Sequence, residues 1–303
     1  MTDQILLIGF LLAAHLTADF VIQTDRNVAG RNGSRGQATR SLGLHALTVA
    51  VCVLPLWLAF GTPGLVAVLV IAVPHPFIDG AKTSLTNRLK RRVAGGYWSP
   101  LPAALFLADQ AAHVALMLAA WWVLLRDAAV NPWVADRITQ AIAGASSVDV
   151  DRGAQIAVIG WSLIIVNTRA ARYVVPLLLP QRGTAETGVT STPAVAAMPT
   201  AVAGYTVRLG PLSGRIEQDA AVVAAVPGRG GAIIGILERL LVVVLILGRA
   251  EAGIGIVVAV KTLARFKELD DRYFTEMYIV GTLASITIAV ASALFARFVL
   301  FGT

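Results

Sequence analysis

ILLIGFLLAAHLTADFVIQTD, residues 5–25, opens with ten residues that hydrocarbon would dissolve and closes with a histidine, an aspartate and a glutamine. In its first half the apolar residues stand at almost every position, not at every third or fourth. The stretch therefore does not describe one greasy face of a soluble helix. At about 1.5 Å per residue, residues 4–23 are long enough to cross the roughly 30 Å hydrocarbon core of a bilayer. No basic stretch precedes the segment and no small-residue cleavage pattern follows it, so it reads as a retained span and not a removed signal. His15, Asp19 and Gln23 follow one another at intervals of four, which sets all three on one side of that span. A span with one polar side is expected to turn that side towards other helices.

The composition agrees with a membrane chain. Of 303 residues, 56% are apolar and 14% are charged, with mean hydropathy +0.73; soluble domains carry roughly 25% charged residues. The net charge of +7 is not a nucleic-acid signal, because basic residues of membrane proteins collect on the cytoplasmic side. No nucleic-acid partner is expected. The single cysteine, Cys52, lies in an apolar run and allows no internal disulfide.

Hydropathy predicts an all-α, polytopic transmembrane helix bundle of about eight spans, near 4–23, 42–61, 64–86, 101–125, 154–168, 231–248, 252–265 and 277–300. With the amino terminus outside, the inner segments collect 19 of the 25 Lys and Arg residues. That bias predicts both termini on the outer side. Residues 169–228 contain GTAETGVTSTPAVAAMPTA, rich in Ala, Thr, Gly and Pro, and read as a cytoplasmic linker. The linker divides a front five-span domain, 1–168, from a rear three-span domain, 229–303.

All four histidines fall in the front domain. His15 and Asp19, His75 and Asp79, and Asp109 and His113 are each four residues apart, so three spans each offer an imidazole and a carboxylate on one face. His45 adds a fourth imidazole. Counted along antiparallel spans, the seven groups lie roughly 5–18 Å from the cytoplasmic ends of their helices, which places them in one layer. Each ionisable group at that depth costs at least about 2–3 kcal/mol unless paired or hydrated. Convergence is therefore expected.

Imidazole with carboxylate, and no thiolate, suits Zn²⁺, Fe²⁺ or Mn²⁺. His15, Asp19, His75, Asp79 and His113 are the expected metal ligands, with His45 and Asp109 moving protons. Gln23, Gln110 and Lys82 lie near the same layer as candidate substrate contacts. Pro74 and Pro76 flank His75 and predict a broken helix that admits water. In the rear domain, Lys261 and Arg265 are spaced four apart and form either a basic cradle for a phosphate-bearing headgroup or partners for the intramembrane Glu238.

HLTADFVIQTD, the following histidine of the second span, HPFIDGAK and DQAAH resemble a bacterial integral-membrane family known as domain of unknown function 3307. GAIIGILERLL, AVKTLARF and YIVGTLAS look like motifs of its longer members. The resemblance covers residues 5–125 and, less closely, 229–285. It implies a multi-pass protein of the bacterial inner membrane and brings no established activity. Three functions stay open on these residues: a metal-dependent hydrolase of a lipid or lipid-linked substrate, an ion- or proton-coupled transporter, and a scaffold in which the polar layer is structural glue.

Overall fold

A computed structural model describes residues 4–90, 101–141, 147–179, 205–209, 212–216 and 229–302. Helix α1 (Gln4–Leu16) runs on through a π-helical turn, Thr17–Ile22. Thr17 loosens this turn by donating its hydroxyl to the Ala13 carbonyl at 2.6 Å, a side-chain bond that competes with the main-chain ladder. A short helix α2 (Asp25–Gly30) follows, with Thr24 capping its first turn. Ser34 and Gln37 then form a reciprocal capping box that starts α3 (Arg35–Val53).

Pro55 cannot supply a main-chain donor, so α3 stops and α4 (Pro55–Phe60) begins. Gly61, at φ 59°, reverses the chain into α5 (Thr62–Ala72). After Val73 and Pro74 the helix restarts as α6 (His75–Lys90), putting Pro76 in a first turn that needs no donor. Next come α7 (Leu101–Ala120), with a π turn at Trp121–Leu125, and α8 (Pro132–Ala141). Helix α9 (Ser147–Ile165) continues through a third π turn, Val166–Ala170, into α10 (Ala171–Leu178). A small antiparallel hairpin, β1 (Tyr205–Leu209) with β2 (Leu212–Ile216), pairs Tyr205 with Ile216. The chain ends with α11 (Arg229–Leu247), α12 (Gly253–Ala264) and α13 (Arg272–Phe301). Apart from the hairpin, the described elements are helical, as expected.

Among the described residues, five helices are long and apolar enough to cross a membrane: Gln4–Ile22, Thr62–Leu89, Leu101–Leu125, Val150–Leu178 and Arg272–Phe301. The segment expected at 42–61 is divided at Pro55. The one expected at 252–265 forms a helix of 12 residues, roughly 18 Å long and short of the hydrocarbon thickness. The segment expected at 154–168 runs on to Leu178, because the arginines that end its hydropathy, Arg169 and Arg172, continue the helix.

The front core is built from α1, α3, α4, α5 and α7, around Leu11, Val53, Leu56, Ile71 and Leu125. At one end, Gln4 accepts from Trp121 Nε1 at 2.7 Å and donates to the Arg126 carbonyl at 3.0 Å, joining α1 to the end of α7. A second core, on α9, α11 and α13, holds Val242, Ile246, Ala289 and Ala293. Large apolar side chains point outward instead: Phe77, Leu107, Val123, Leu237, Leu283 and Phe298 are all exposed while histidines and aspartates are buried. This is the distribution of a bundle solvated by lipid.

Candidate functional site

Four helices carry the polar layer. His15 closes α1 and Asp19 sits in its π turn; His45 lies midway along α3; His75 opens α6, one turn before Asp79; Asp109 and His113 share a face of α7. Six of the seven residues are buried, and the Asp19 side chain is 9% exposed. Antiparallel packing of these helices against one another brings them to one level, the convergence expected from their depths.

The centre of the layer is a triangle. His45 Nε2 lies 3.1 Å from His75 Nε2 and 3.3 Å from Asp19 Oδ1, and His75 Nε2 lies 3.5 Å from Asp19 Oδ1. Asp79 Oδ2 stands 3.3 Å from His45 Nε2 on another side. Around the triangle, the His75 and His113 rings lie tilted at 34° with centroids 3.9 Å apart, and His15 packs against both, at 5.7 and 5.3 Å. His15 Nδ1 approaches Asp19 Oδ1 at 3.7 Å, and His113 Nδ1 approaches Asp109 Oδ1 at 3.9 Å.

Many of these atoms are buried without a hydrogen-bond partner: His15 Nε2, Asp19 Oδ1, His45 Nδ1, Asp109 Oδ1 and both nitrogens of His113. Three overlapping trios, His15–Asp19–His75, His45–His75–Asp79 and Asp79–Asp109–His113, have donor atoms within 4.8 Å of one another and could each hold a metal ion.

Cations brace the layer at its edge. Lys82 Nζ donates to Asp109 Oδ2 at 2.8 Å and lies 4.9 Å from the centre of the Phe106 ring. Gln110 donates to the same Asp109 oxygen at 3.3 Å and, more loosely, to Asp19 Oδ2 at 3.5 Å. Gln23 Nε2 is buried with no partner. Lys261 and Arg265 belong to a different place in the fold. Lys261 on α12 pairs with Glu238 of α11 at 2.5 Å, and Arg265 pairs with Glu268 at 2.6 Å.

Arg31 was not among the residues expected here. It stands just after α2, yet Nη2 donates to Asp79 Oδ2 at 2.8 Å, and its side chain is only 9% exposed. Hydropathy assigns it to an inner loop. The available signal is its setting in GRNGS, a turn-forming stretch between α2 and α3.

Residues 6–138 match the model of a family described as a protein of unknown function, DUF3307. The DUF3307 region contains all seven groups of the layer together with Arg31, Lys82 and Gln110. It ends before α9, so the likeness read for 229–285 lies outside the match. No curated protein and no solved structure matches the chain.

Proposed function

We propose that the chain is a metal-dependent hydrolase of the bacterial inner membrane, acting on a lipid or lipid-linked substrate from the cytoplasmic leaflet, with both termini outside. The observation that carries this reading is the spacing within the central triangle. Donors about 2.0–2.1 Å from a tetrahedral ion stand roughly 3.3–3.4 Å from each other, and His45, His75 and Asp19 present separations of 3.1, 3.3 and 3.5 Å. Two imidazole nitrogens facing at 3.1 Å either share one proton or direct both lone pairs at a cation. His45 Nδ1 is buried and unpartnered, so its tautomer is not fixed from the other side.

His45 is thereby moved from proton carrier to ligand, beside His75 and Asp19, with Asp79 on the adjoining edge. His15 and His113 flank the triangle and offer ligands for a second ion of the same class, Zn²⁺, Fe²⁺ or Mn²⁺. Such an ion, when bound, lowers the pKa of a water to about 7. Asp109 is the base: Lys82 and Gln110 hold its Oδ2, and Oδ1 stays unpartnered to take a proton. Gln110 orients Asp19 and Asp109 as an outer-shell partner.

Metal analysis of the purified protein, prepared without chelator, tests this. Wild type should carry stoichiometric transition metal, and His75→Ala should lose it while remaining monodisperse. Metal-free wild type would overturn this reading.

A second reading has one observation in its favour. The α5–α6 helix is interrupted at Pro74, beside buried charge, as in ion-coupled carriers. Uptake by proteoliposomes that is lost in His75→Ala would support it.

A further inference from the structure

We infer that Arg31 is the phosphate-recognising residue of this site and that the substrate is an inner-leaflet lipid bearing a terminal phosphate monoester; this rests on the hydrolase reading above. Arg31 is an unusual group to find at this position. Its side chain is 9% exposed, it touches the layer only through Nη2 on Asp79, and its Nε is buried without a partner. A guanidinium carries five N–H donors in a planar fork suited to phosphate oxygens. One edge of this fork is spent on a carboxylate and a buried donor remains unused.

The turn that carries Arg31 is built to place it. Asn87 of α6 donates to Asn32 Oδ1 at 3.0 Å, and the Ser34–Gln37 capping box fixes the next residues. Ser41 of α3 closes the loop from behind by donating to the Asn27 carbonyl. A Cβ at Gly33 would stand 2.2 Å from Gln37 Oε1, so the turn is drawn tightly onto α3.

Charge balance selects the ligand. Asp19, Asp79 and Asp109 are offset by Arg31 and Lys82, leaving one net negative charge if the histidines are neutral. One divalent ion reverses that sign and a second reinforces it, so the loaded site calls for an anion. A phosphate monoester supplies two negative charges. Geometry selects the side of approach: Lys82 is 27% exposed where its partner Asp109 is 2%, and Phe77 and Leu107, from the same two helices, face outward to lipid. The phosphate therefore enters between α6 and α7 with its acyl chains against that apolar surface.

The step balances without a further reactant. Water oxygen bonds to phosphorus as the bond from phosphorus to the lipid oxygen breaks. One water proton passes to Asp109 Oδ1 and on to the departing alkoxide. The products are a lipid alcohol and inorganic phosphate.

The test uses the full chain in nanodiscs, with metal content, phosphate release from phosphatidic acid and equilibrium dialysis of labelled inorganic phosphate read on the same samples. Phosphatidylcholine, a diester, serves as control. The expected result is phosphate release from phosphatidic acid alone. Arg31→Gln should raise KM and the phosphate dissociation constant about tenfold or more, Arg31→Lys should do so by less, and metal content should be unchanged in both. Equal KM and equal phosphate affinity in folded Arg31→Gln and Arg31→Lys would overturn the assignment. So would metal-loaded wild type that neither binds phosphate nor hydrolyses phosphatidic acid. Phosphate binding without lipid hydrolysis would overturn the lipid substrate in favour of free phosphate. Metal-free wild type strikes the hydrolase reading instead, and dialysis repeated with Zn²⁺ added still reads Arg31 separately.

Discussion

Asp109 and Lys82 show how individual residues hold the layer. The carboxylate side chain is 2% exposed and the lysine 27%, so the pair is neither a surface bridge of little consequence nor a fully desolvated one. Removing one partner of a buried pair costs roughly 3–5 kcal/mol because the other charge is stranded, whereas removing both can be neutral. Lys82→Met should therefore destabilise the protein more than the Lys82→Met/Asp109→Asn double variant does. A coupling of about 1–3 kcal/mol is expected from thermal melts in detergent. Additive losses would show that Lys82 does not neutralise Asp109. The i, i+4 His/Asp pairs were legible in the sequence because helix periodicity alone fixes which residues share a face. Arg31 was not, since its reach depends on a chain reversal after α2 that no periodicity encodes.

At the scale of elements, close approach is set by single glycines. A Cβ at Gly64 would stand 1.9 Å from the Leu56 carbonyl oxygen, a main-chain atom that cannot swing away. Gly64→Ala should force α4 and α5 apart and cost about 1–3 kcal/mol, as overpacking does. Gly43 in α3 is exposed, with nothing within 4 Å of its Cβ position. Gly43→Ala should raise stability by up to about 1 kcal/mol through helix propensity alone. Paired melts of the two variants give opposite signs if the packing is as described.

A third element-scale test concerns the turn between α11 and α12. Arg297 donates to Glu251 at 2.5 Å and holds its carboxyl below the ordinary value near 4.5. A depressed folded pKa gives stability that is present above the unfolded value and lost as pH falls through the folded one. Glu251→Gln should lower stability at neutral pH and abolish the further loss on acidification below about pH 4.5, readable as a lower and flatter melting temperature against pH. Helix periods and apolar runs made the long elements legible. Their breaks were less so: Pro74 announced itself, whereas the three π turns leave no mark on the hydropathy.

Across the whole molecule, the front and rear helices are joined by buried polar contacts as well as by apolar packing. Arg239 of α11 donates from Nε to the Asn167 carbonyl at 2.6 Å and from Nη1 to Ser285 Oγ of α13 at 3.0 Å. Asn167, fully buried in the π turn after α9, donates to Ser292 Oγ at 3.1 Å. Widening a helix into a π turn alters the ordinary i to i−4 pairing, and Arg239 binds the Asn167 carbonyl there. Two effects oppose each other when Arg239 becomes leucine. The cost of keeping a cation in the bundle disappears, but a buried carbonyl and a hydroxyl lose their donor, at about 1–3 kcal/mol each. Glu238 does not decide the balance, because Lys261 already pairs with it. Arg239→Leu should lower stability by roughly 2–4 kcal/mol, and Ser285→Ala by about 1 kcal/mol. Metal content should remain that of wild type, since no ligand of the His/Asp layer is touched. A rise in melting temperature for Arg239→Leu would show that desolvation of the cation outweighs its bonds. Loss of metal would show that the rear helices hold the front site in register.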